Sequence, residues 1–80
     1  MGINNINTLL NKHCRFRLRS GKDIYGILWR VDANGESYHY FTSASLKSRI
    51  EMAEDRNELI LSSGTELNIN DIVLAEKLVG

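Results

Sequence analysis

The sequence lacks a cysteine pair, an excess of either charge and a long apolar run, and each absence excludes a class of protein. Cys14 is the only cysteine, so no internal disulfide can form and a disulfide-rich secreted scaffold is not expected. Ten basic residues balance ten acidic ones, whereas a sequence-indifferent nucleic-acid binder usually carries a basic excess. No stretch approaches the roughly 20 apolar residues that span a bilayer, and the N-terminus does not resemble a signal peptide. We therefore expect a cytoplasmic protein without membrane contact.

The length of the chain indicates one domain. Its 80 residues are 42% hydrophobic, a fraction typical of folded proteins. A chain of this size buries only about 60% of the surface that its unfolded form exposes, so a partner subunit would add stability. No repeat, linker or low-complexity segment divides the sequence, and residues 1–80 are expected to form a single domain.

Hydrophobic spacing predicts a short helix over residues 3–12, because apolar residues recur there at intervals of three and four. From His13 the period changes to two, which predicts a half-buried strand up to Arg19. The apolar residues of this strand alternate with basic ones, which form an outer face. The tight turn that follows contains Gly21, which adopts a positive φ without steric cost.

The next strand, residues 24–32, is apolar on both faces. A strand in a sheet with one solvent-exposed face would be apolar on one side only. We therefore expect the barrel interior on one side of this strand and the N-terminal helix or another subunit on the other. Gly26 in mid-strand predicts a sharp bend or a close backbone approach. The pair Asn34-Gly35 then predicts a hairpin turn into a third strand over residues 37–42.

Residues 43–57 fit both a helical and a strand pattern. We favour continuation of the third strand or a long excursion between strands, with a short helix as the alternative. A fourth strand is predicted to open at residues 59–61, with extended chain over residues 66–70 and a last strand within residues 72–79. The predicted fold is mainly β, a short N-terminal helix followed by a five-stranded, strongly bent, partly open small barrel.

The segment from Phe16 to Asp32 resembles the first signature motif of Sm and Sm-like proteins, whose bacterial relatives include the Hfq type. The matching positions are Phe16, Leu18, Gly21, Ile24, Gly26, Leu28, Val31 and Asp32. The resemblance implies the helix-plus-barrel fold, rings that assemble by pairing of the fourth and fifth strands, and RNA binding in many members. Small barrels of the Src-homology type share the pattern. Of the residues that contact a base in the family, only Asp32 has a counterpart, because Glu36 replaces the asparagine.

Basic and aromatic side chains supply the candidate binding residues. Alternate residues of a strand repeat every ~7 Å on one face, so the arginines of the first strand could contact successive phosphates. The other interpretation is a solvated face paired with acidic neighbours such as Asp23. Exposed tyrosines could stack on bases, or they could belong to the core. The candidate residues are Arg15, Arg17, Arg19, Lys22, Asp32, Tyr38 and Tyr40.

No pattern points to a catalytic, metal or cofactor site. His13 and Cys14 are adjacent and are expected to point to opposite faces of a strand, so they cannot easily share a metal ion. Alternation places Cys14 with Phe16 as a buried small hydrophobe and not as a thiolate nucleophile. The acidic residues of 51–58 lack the loop spacing of a calcium site.

The second strand and residues 72–79 contain more apolar positions than an isolated barrel buries, which favours an interface at an exposed strand edge. We therefore expect a non-enzymatic binding module that acts through protein–protein contacts and forms homo-oligomers. The alternative is RNA or single-stranded nucleic-acid binding through the basic strand face.

Overall fold

One five-stranded sheet organises the molecule. A computed structural model describes residues 6–78. The strands are β1 (His13–Leu18), β2 (Asp23–Ala33), β3 (Glu36–Thr42), β4 (Thr65–Glu66) and β5 (Ile72–Lys77). All pairings are antiparallel, and the strands lie in the order β4-β3-β2-β1-β5. Because the two end strands do not pair within residues 6–78, the sheet is not closed. The predicted mainly β fold with a partly open, five-stranded small barrel is confirmed.

Two tight turns join the first three strands, as predicted. In the first, Gly21 has a φ of +95°, and its N–H donates to the Leu18 carbonyl over 2.8 Å. In the second, Asn34 and Gly35 have φ angles of 55° and 78°. Positive φ at both central residues is the geometry of the tight hairpin turn whose twist matches that of the flanking strands.

The strand β2 is buried on both faces, as its composition predicts. One face contributes Leu28 to the first core cluster, and the other contributes three residues to the second core cluster. The buried members of the first cluster are Ile6, Cys14, Phe16, Leu28 and Ile72, and those of the second are Ile27, Trp29, Val31, Ile50 and Ile60. The protein therefore has apolar layers on both sides of one strand.

Helices from the middle of the chain cover the second core cluster. A 3₁₀ helix, Ala44–Leu46, leads into α1 (Lys47–Met52), and α2 (Arg56–Ser63) follows. The predicted continuation of the third strand into residues 43–57 and the predicted strand at residues 59–61 are wrong. Residues 43–64 instead form a long excursion between β3 and β4, and the short helix named as the alternative occurs within it. The apolar outer face of β2 requires a layer of side chains above the sheet. Ile50 and Ile60 supply this layer, and they are 0% and 1% exposed.

A capping interaction fixes where α2 begins. The Asp55 carboxylate accepts a hydrogen bond of 3.1 Å from the Glu58 N–H. An acidic or hydroxyl side chain followed three residues later by glutamate is a helix-start pattern. This pattern is present in the sequence, and it outweighs the apolar run Leu59–Leu61 that suggested a strand.

The N-terminal segment covers the first core cluster. The helix predicted over residues 3–12 is described only from Ile6, where a 3₁₀ helix, Ile6–Leu9, occurs; residues 3–5 lie outside the described part. Ile6 is 5% exposed and packs in the first core cluster. The extended chain predicted over residues 66–70 is wrong from Ile69, because a 3₁₀ helix occupies Ile69–Asp71, whereas Asn68 before it is extended.

Gly26 lies where β2 approaches the end of β3. A Cβ at this position would overlap the Thr42 carbonyl oxygen and lie 2.7 Å from Phe41 Cζ. Phe41 cannot easily withdraw, because its ring meets that of Phe16 edge to face with centroids 6.2 Å apart. The close backbone approach that Gly26 predicts is therefore confirmed. Across the same strands, the Trp29 indole N–H donates to Thr42 Oγ1 over 2.8 Å.

No helix within residues 6–78 is both long enough and apolar enough to cross a membrane.

The covering role of α1 predicts a large difference between two substitutions on that helix. Ile50→Ala removes a fully buried side chain and should lower the free energy of unfolding by about 2–5 kcal/mol. Met52→Ala, on the same helix but 84% exposed, should change it by less than about 0.5 kcal/mol. Urea unfolding followed by the fluorescence of Trp29, the only tryptophan, measures both. Equal effects of the two substitutions would contradict the covering role.

Candidate binding surfaces

Arg15 and Arg17 form the centre of the predicted basic face, and both are paired with carboxylates. Arg17 Nε lies 2.9 Å from Asp23 Oδ1, and Arg15 Nη1 lies 3.5 Å from Asp23 Oδ2. Arg15 Nε also lies 3.0 Å from Glu76 Oε1. The hydrogen bond from Arg17 holds the pKa of Asp23 below its usual range. The geometry therefore matches the ion-paired interpretation of this face.

Arg19 and Lys22 extend the basic character of β1 in different ways. Arg19 lies beyond the end of β1, where its Nη2 donates to the Asn70 carbonyl over 2.6 Å. Lys22 is exposed in the turn, and its carbonyl accepts the Leu18 N–H over 2.8 Å. The structure therefore assembles Arg15 and Arg17 into one ion-paired group, while Arg19 is held by the segment before β5.

Tyr25 is the aromatic residue of the basic face. It lies directly opposite Arg15 in the β1–β2 register and is 58% exposed. The sequence pattern places it on a covered face, and that expectation is wrong. The reason is that the residues of α1 and α2 that pack on β2 reach only its C-terminal half, from Ile27 to Val31.

The other candidate residues lie at the opposite end of β2 and on β3. Asp32 accepts a hydrogen bond of 2.6 Å from Ser37 Oγ. The Tyr38 hydroxyl donates to Glu36 over 2.7 Å, which raises the pKa of Tyr38. Tyr40 is half-buried and packs against the second core cluster. These three residues do not join the basic face in one site.

The strand β5 forms one edge of the sheet. Its register places Leu74 opposite Arg17 and Glu76 opposite Arg15. The Leu78 N–H donates to the His13 carbonyl over 2.9 Å. Because backbone groups alternate in direction along an antiparallel strand, those of Leu74 and Glu76 point toward β1. The backbone groups of Ala75 and Lys77 therefore point to the open side.

Apolar side chains accompany this open edge. Val73 and Leu74 are 39% and 36% exposed. Leu74 lies on the same face of the sheet as Tyr25, because both align with the outward-facing arginines of β1. The register between β1 and β5 shifts next to Val73, which leaves Leu74–Lys77 as the regular part of the edge.

A polar cavity of about 330 Å³ lies beside Trp29 at the other end of β2. Its walls come from the N-terminal segment, from the C-terminal half of β2 and from α2. The lining residues are Asn7, Leu10, Asn11, Trp29, Arg30, Asp32, Arg56 and Ile60. Sequence reasoning missed this cavity except for Asp32, because Arg56 reaches it only through the helix α2 that the strand prediction excluded.

Cys14 and His39 are two of the residues considered for metal or nucleophile chemistry. Cys14 is fully buried, burial raises the pKa of its thiol, and its Sγ donates to the Leu9 carbonyl over 3.7 Å. Burial lowers the pKa of His39. Within residues 6–78, no three His, Cys, Asp or Glu side chains are grouped so that they could hold a metal ion.

No protein-family model, curated protein or solved structure matches this chain. The class that the structure of residues 6–78 defines is a small mainly β domain with an unclosed five-stranded sheet and with α1 and α2 on one face. A proposal for the function of this protein therefore rests on the surfaces of its own structure.

The ion pairs around Asp23 predict a specific dependence of stability on acid. Because the folded-state pKa of Asp23 is lowered, its contribution is fully present above the unfolded value of about 3.9 and is lost as the pH falls through the lower folded value. Urea midpoints measured at neutral pH and at the lowest pH that keeps the protein folded should therefore differ less in Asp23→Asn than in the wild type. Glu54→Gln, an exposed carboxylate without an ion pair in the described part of the chain, should retain the wild-type difference.

The nucleic-acid alternative stays a prediction with a direct test. Since Arg15 and Arg17 already contact Asp23, we expect no retention of the protein on immobilised single-stranded RNA, even at low salt. A nucleic-acid site on this face would instead give retention that falls steeply with added salt. The double substitution of both arginines by alanine would then abolish it, and that result would favour the alternative function.

Proposed function

We propose that this protein is a non-enzymatic binding module that self-associates through the open edge of β5. The observation that carries the proposal is an edge strand whose outer side pairs with no strand of residues 6–78 and which has Val73 and Leu74 exposed. An edge strand presents unpaired N–H and C=O groups that can template another strand. The proposed setting is the cytoplasm.

The partner that fits this edge best is a second copy of β5. A head-to-tail ring requires β5 of one subunit to pair with the strand at the opposite edge of the next subunit. That opposite strand, β4, is two residues long, whereas β5 has six residues. Pairing of β5 with itself therefore provides more backbone hydrogen bonds, and it produces a closed two-fold dimer.

The register of such a dimer follows from the directions of the backbone groups. In a two-fold antiparallel pair within one continuous sheet, a residue must lie opposite one that faces the same side. Pairing centred on Ala75 uses the outward N–H and C=O of that residue and places Leu74 opposite Glu76 of the second copy. Centring on Glu76 would bring two like charges together, which destabilises a cross-strand pair. We therefore place the axis at Ala75 and not at Glu76.

The apolar residues at the edge supply the second part of the interaction. Val73, Leu74 and Tyr25 remain exposed in the single chain, and a small domain gains stability from any additional apolar burial. A continuous sheet across the axis would place the two Leu74 side chains on the same face as both copies of Tyr25.

Kinship with Sm-like proteins is also a proposal. It is supported by a short N-terminal helical segment before five strands and by a sheet that is open between the fourth and fifth strands. The two-residue β4 departs from the ring assembly that the resemblance implies.

The proposal predicts that a charge on β5 separates the subunits. Light scattering coupled to size-exclusion chromatography at micromolar concentration should give twice the chain mass for the wild type. Leu74→Glu should give the mass of a single chain, because the introduced carboxylate lies opposite Glu76 of the second copy and like charges destabilise a cross-strand pair. Leu61→Glu makes the same change at a leucine of α2 that is 49% exposed and should leave the dimer intact.

Two results would contradict this assignment. A wild type that remains a single chain at micromolar concentration would exclude self-association. A dimer that survives Leu74→Glu, with circular dichroism showing a folded variant, would place the interface elsewhere.

A further inference from the structure

The cavity beside Trp29 has the features of a binding site that is separate from the β5 edge. Its volume of about 330 Å³ is at the lower end of the roughly 300–1,000 Å³ of small-ligand pockets. Two guanidinium groups, one carboxylate and two carboxamides line it, those of Arg30, Arg56, Asp32, Asn7 and Asn11. Such convergence of polar groups in one concavity favours a small polar ligand over a peptide.

Backbone groups of β2 also point toward this cavity. Within the described residues, β1 pairs with β2 only as far as Ile27. The Leu28 carbonyl accepts the Asn11 N–H over 3.0 Å, so the backbone groups of Leu28 point away from β3. By alternation along the strand, the N–H and C=O of Arg30 point the same way.

An independent contact confirms the direction assigned to Arg30. His39 lies opposite Arg30 in the β2–β3 register. The His39 carbonyl accepts the Leu67 N–H over 2.8 Å, so it is directed to the far side of β3 and not to Arg30. The Arg30 N–H is therefore a donor on the open side of β2, at the wall of the cavity.

The charges in the cavity are unequal. Arg30 Nε lies 3.4 Å from Asp32 Oδ1, so the positive charge of Arg30 is neutralised by the negative charge of Asp32. Arg56 has no carboxylate within ion-pair distance in the described part of the chain, and its Cζ lies 5.9 Å from the centroid of the Trp29 ring. The lining therefore carries one uncompensated positive charge held against an aromatic face.

We propose that this cavity binds a small anion through a carboxylate or phosphate group, with the Arg56 guanidinium and the Arg30 N–H as principal donors. Guanidinium presents paired N–H groups that match the oxygens of either anion. The carboxamides of Asn7 and Asn11 can donate to, or accept from, the rest of the ligand. Binding here does not require the β5 dimer.

Trp29 gives this proposal a direct readout, because it is the only tryptophan and it forms part of the cavity wall. Titration with inorganic phosphate and, separately, with acetate should change its fluorescence in a saturable way at millimolar concentrations. Sodium chloride at matched ionic strength serves as the blank. The anion with the lower Kd identifies which of the two groups the site prefers.

A pair of charge-matched variants tests the assignment. Arg56→Gln should raise the Kd about tenfold or more, since a hydrogen bond to a charged group contributes about 1.5–3 kcal/mol. Arg49→Gln removes the same charge from an exposed position on α1 that does not line the cavity, and it should bind like the wild type. Arg30→Gln keeps the backbone N–H but removes the positive charge that offsets Asp32, so it should also weaken anion binding. Circular dichroism shows that each variant is folded.

Three outcomes would overturn the proposal. The first is a wild-type response to both anions that equals the response to chloride. The second is equal weakening by Arg49→Gln and Arg56→Gln, which would indicate general charge attraction. The third is unchanged binding in both folded cavity variants, which would place the anion elsewhere.

Discussion

The burial of β2 on both faces is the constraint on which the rest of the structure depends. Leu28 faces the first core cluster, while Trp29 faces the second. A single strand with apolar residues on alternate sides cannot be satisfied by one layer, so the chain needs an apolar layer on each side. The strands β1 and β5 with the N-terminal segment form one layer, and α1 and α2 form the other.

The two layers do not cover β2 to the same extent, and this difference creates the surfaces available for binding. The helices pack on the C-terminal half of β2, whereas Tyr25 in the N-terminal half stays exposed beside Arg15. Conversely, within residues 6–78 β1 pairs only with the N-terminal half, so no strand of this part of the chain pairs with the backbone of β2 beside Arg30. The proposed dimer edge is in register with the N-terminal half of β2, whereas the proposed anion cavity lies beside its C-terminal half.

Local ion pairs determine which charges of this protein are free to bind a ligand, and the net charge of the chain does not. The chain is neutral overall, and the arginines of β1 are matched by Asp23 and Glu76 across the strands. Such pairs on a partly exposed face stabilise the protein only modestly, yet they leave little positive charge free for a polyanion. Arg56 differs because its neighbour is an aromatic ring and not a carboxylate.

Local residue patterns determined the elements whose geometry depends on near neighbours. Alternation identified β1 to β3, Gly21 and Asn34-Gly35 identified the turns, and Gly26 identified a close approach, because each reflects backbone sterics or a two-residue period. Apart from the start of α2, which the Asp55 and Glu58 capping pattern marks, tertiary structure decided the state of residues 43–63. Their short apolar runs satisfy either period, and the uncovered face of β2 selects helices. Tertiary structure also decided which arginines are paired and which line a cavity. Those outcomes depend on side chains that are distant in sequence, whose separations no local pattern encodes.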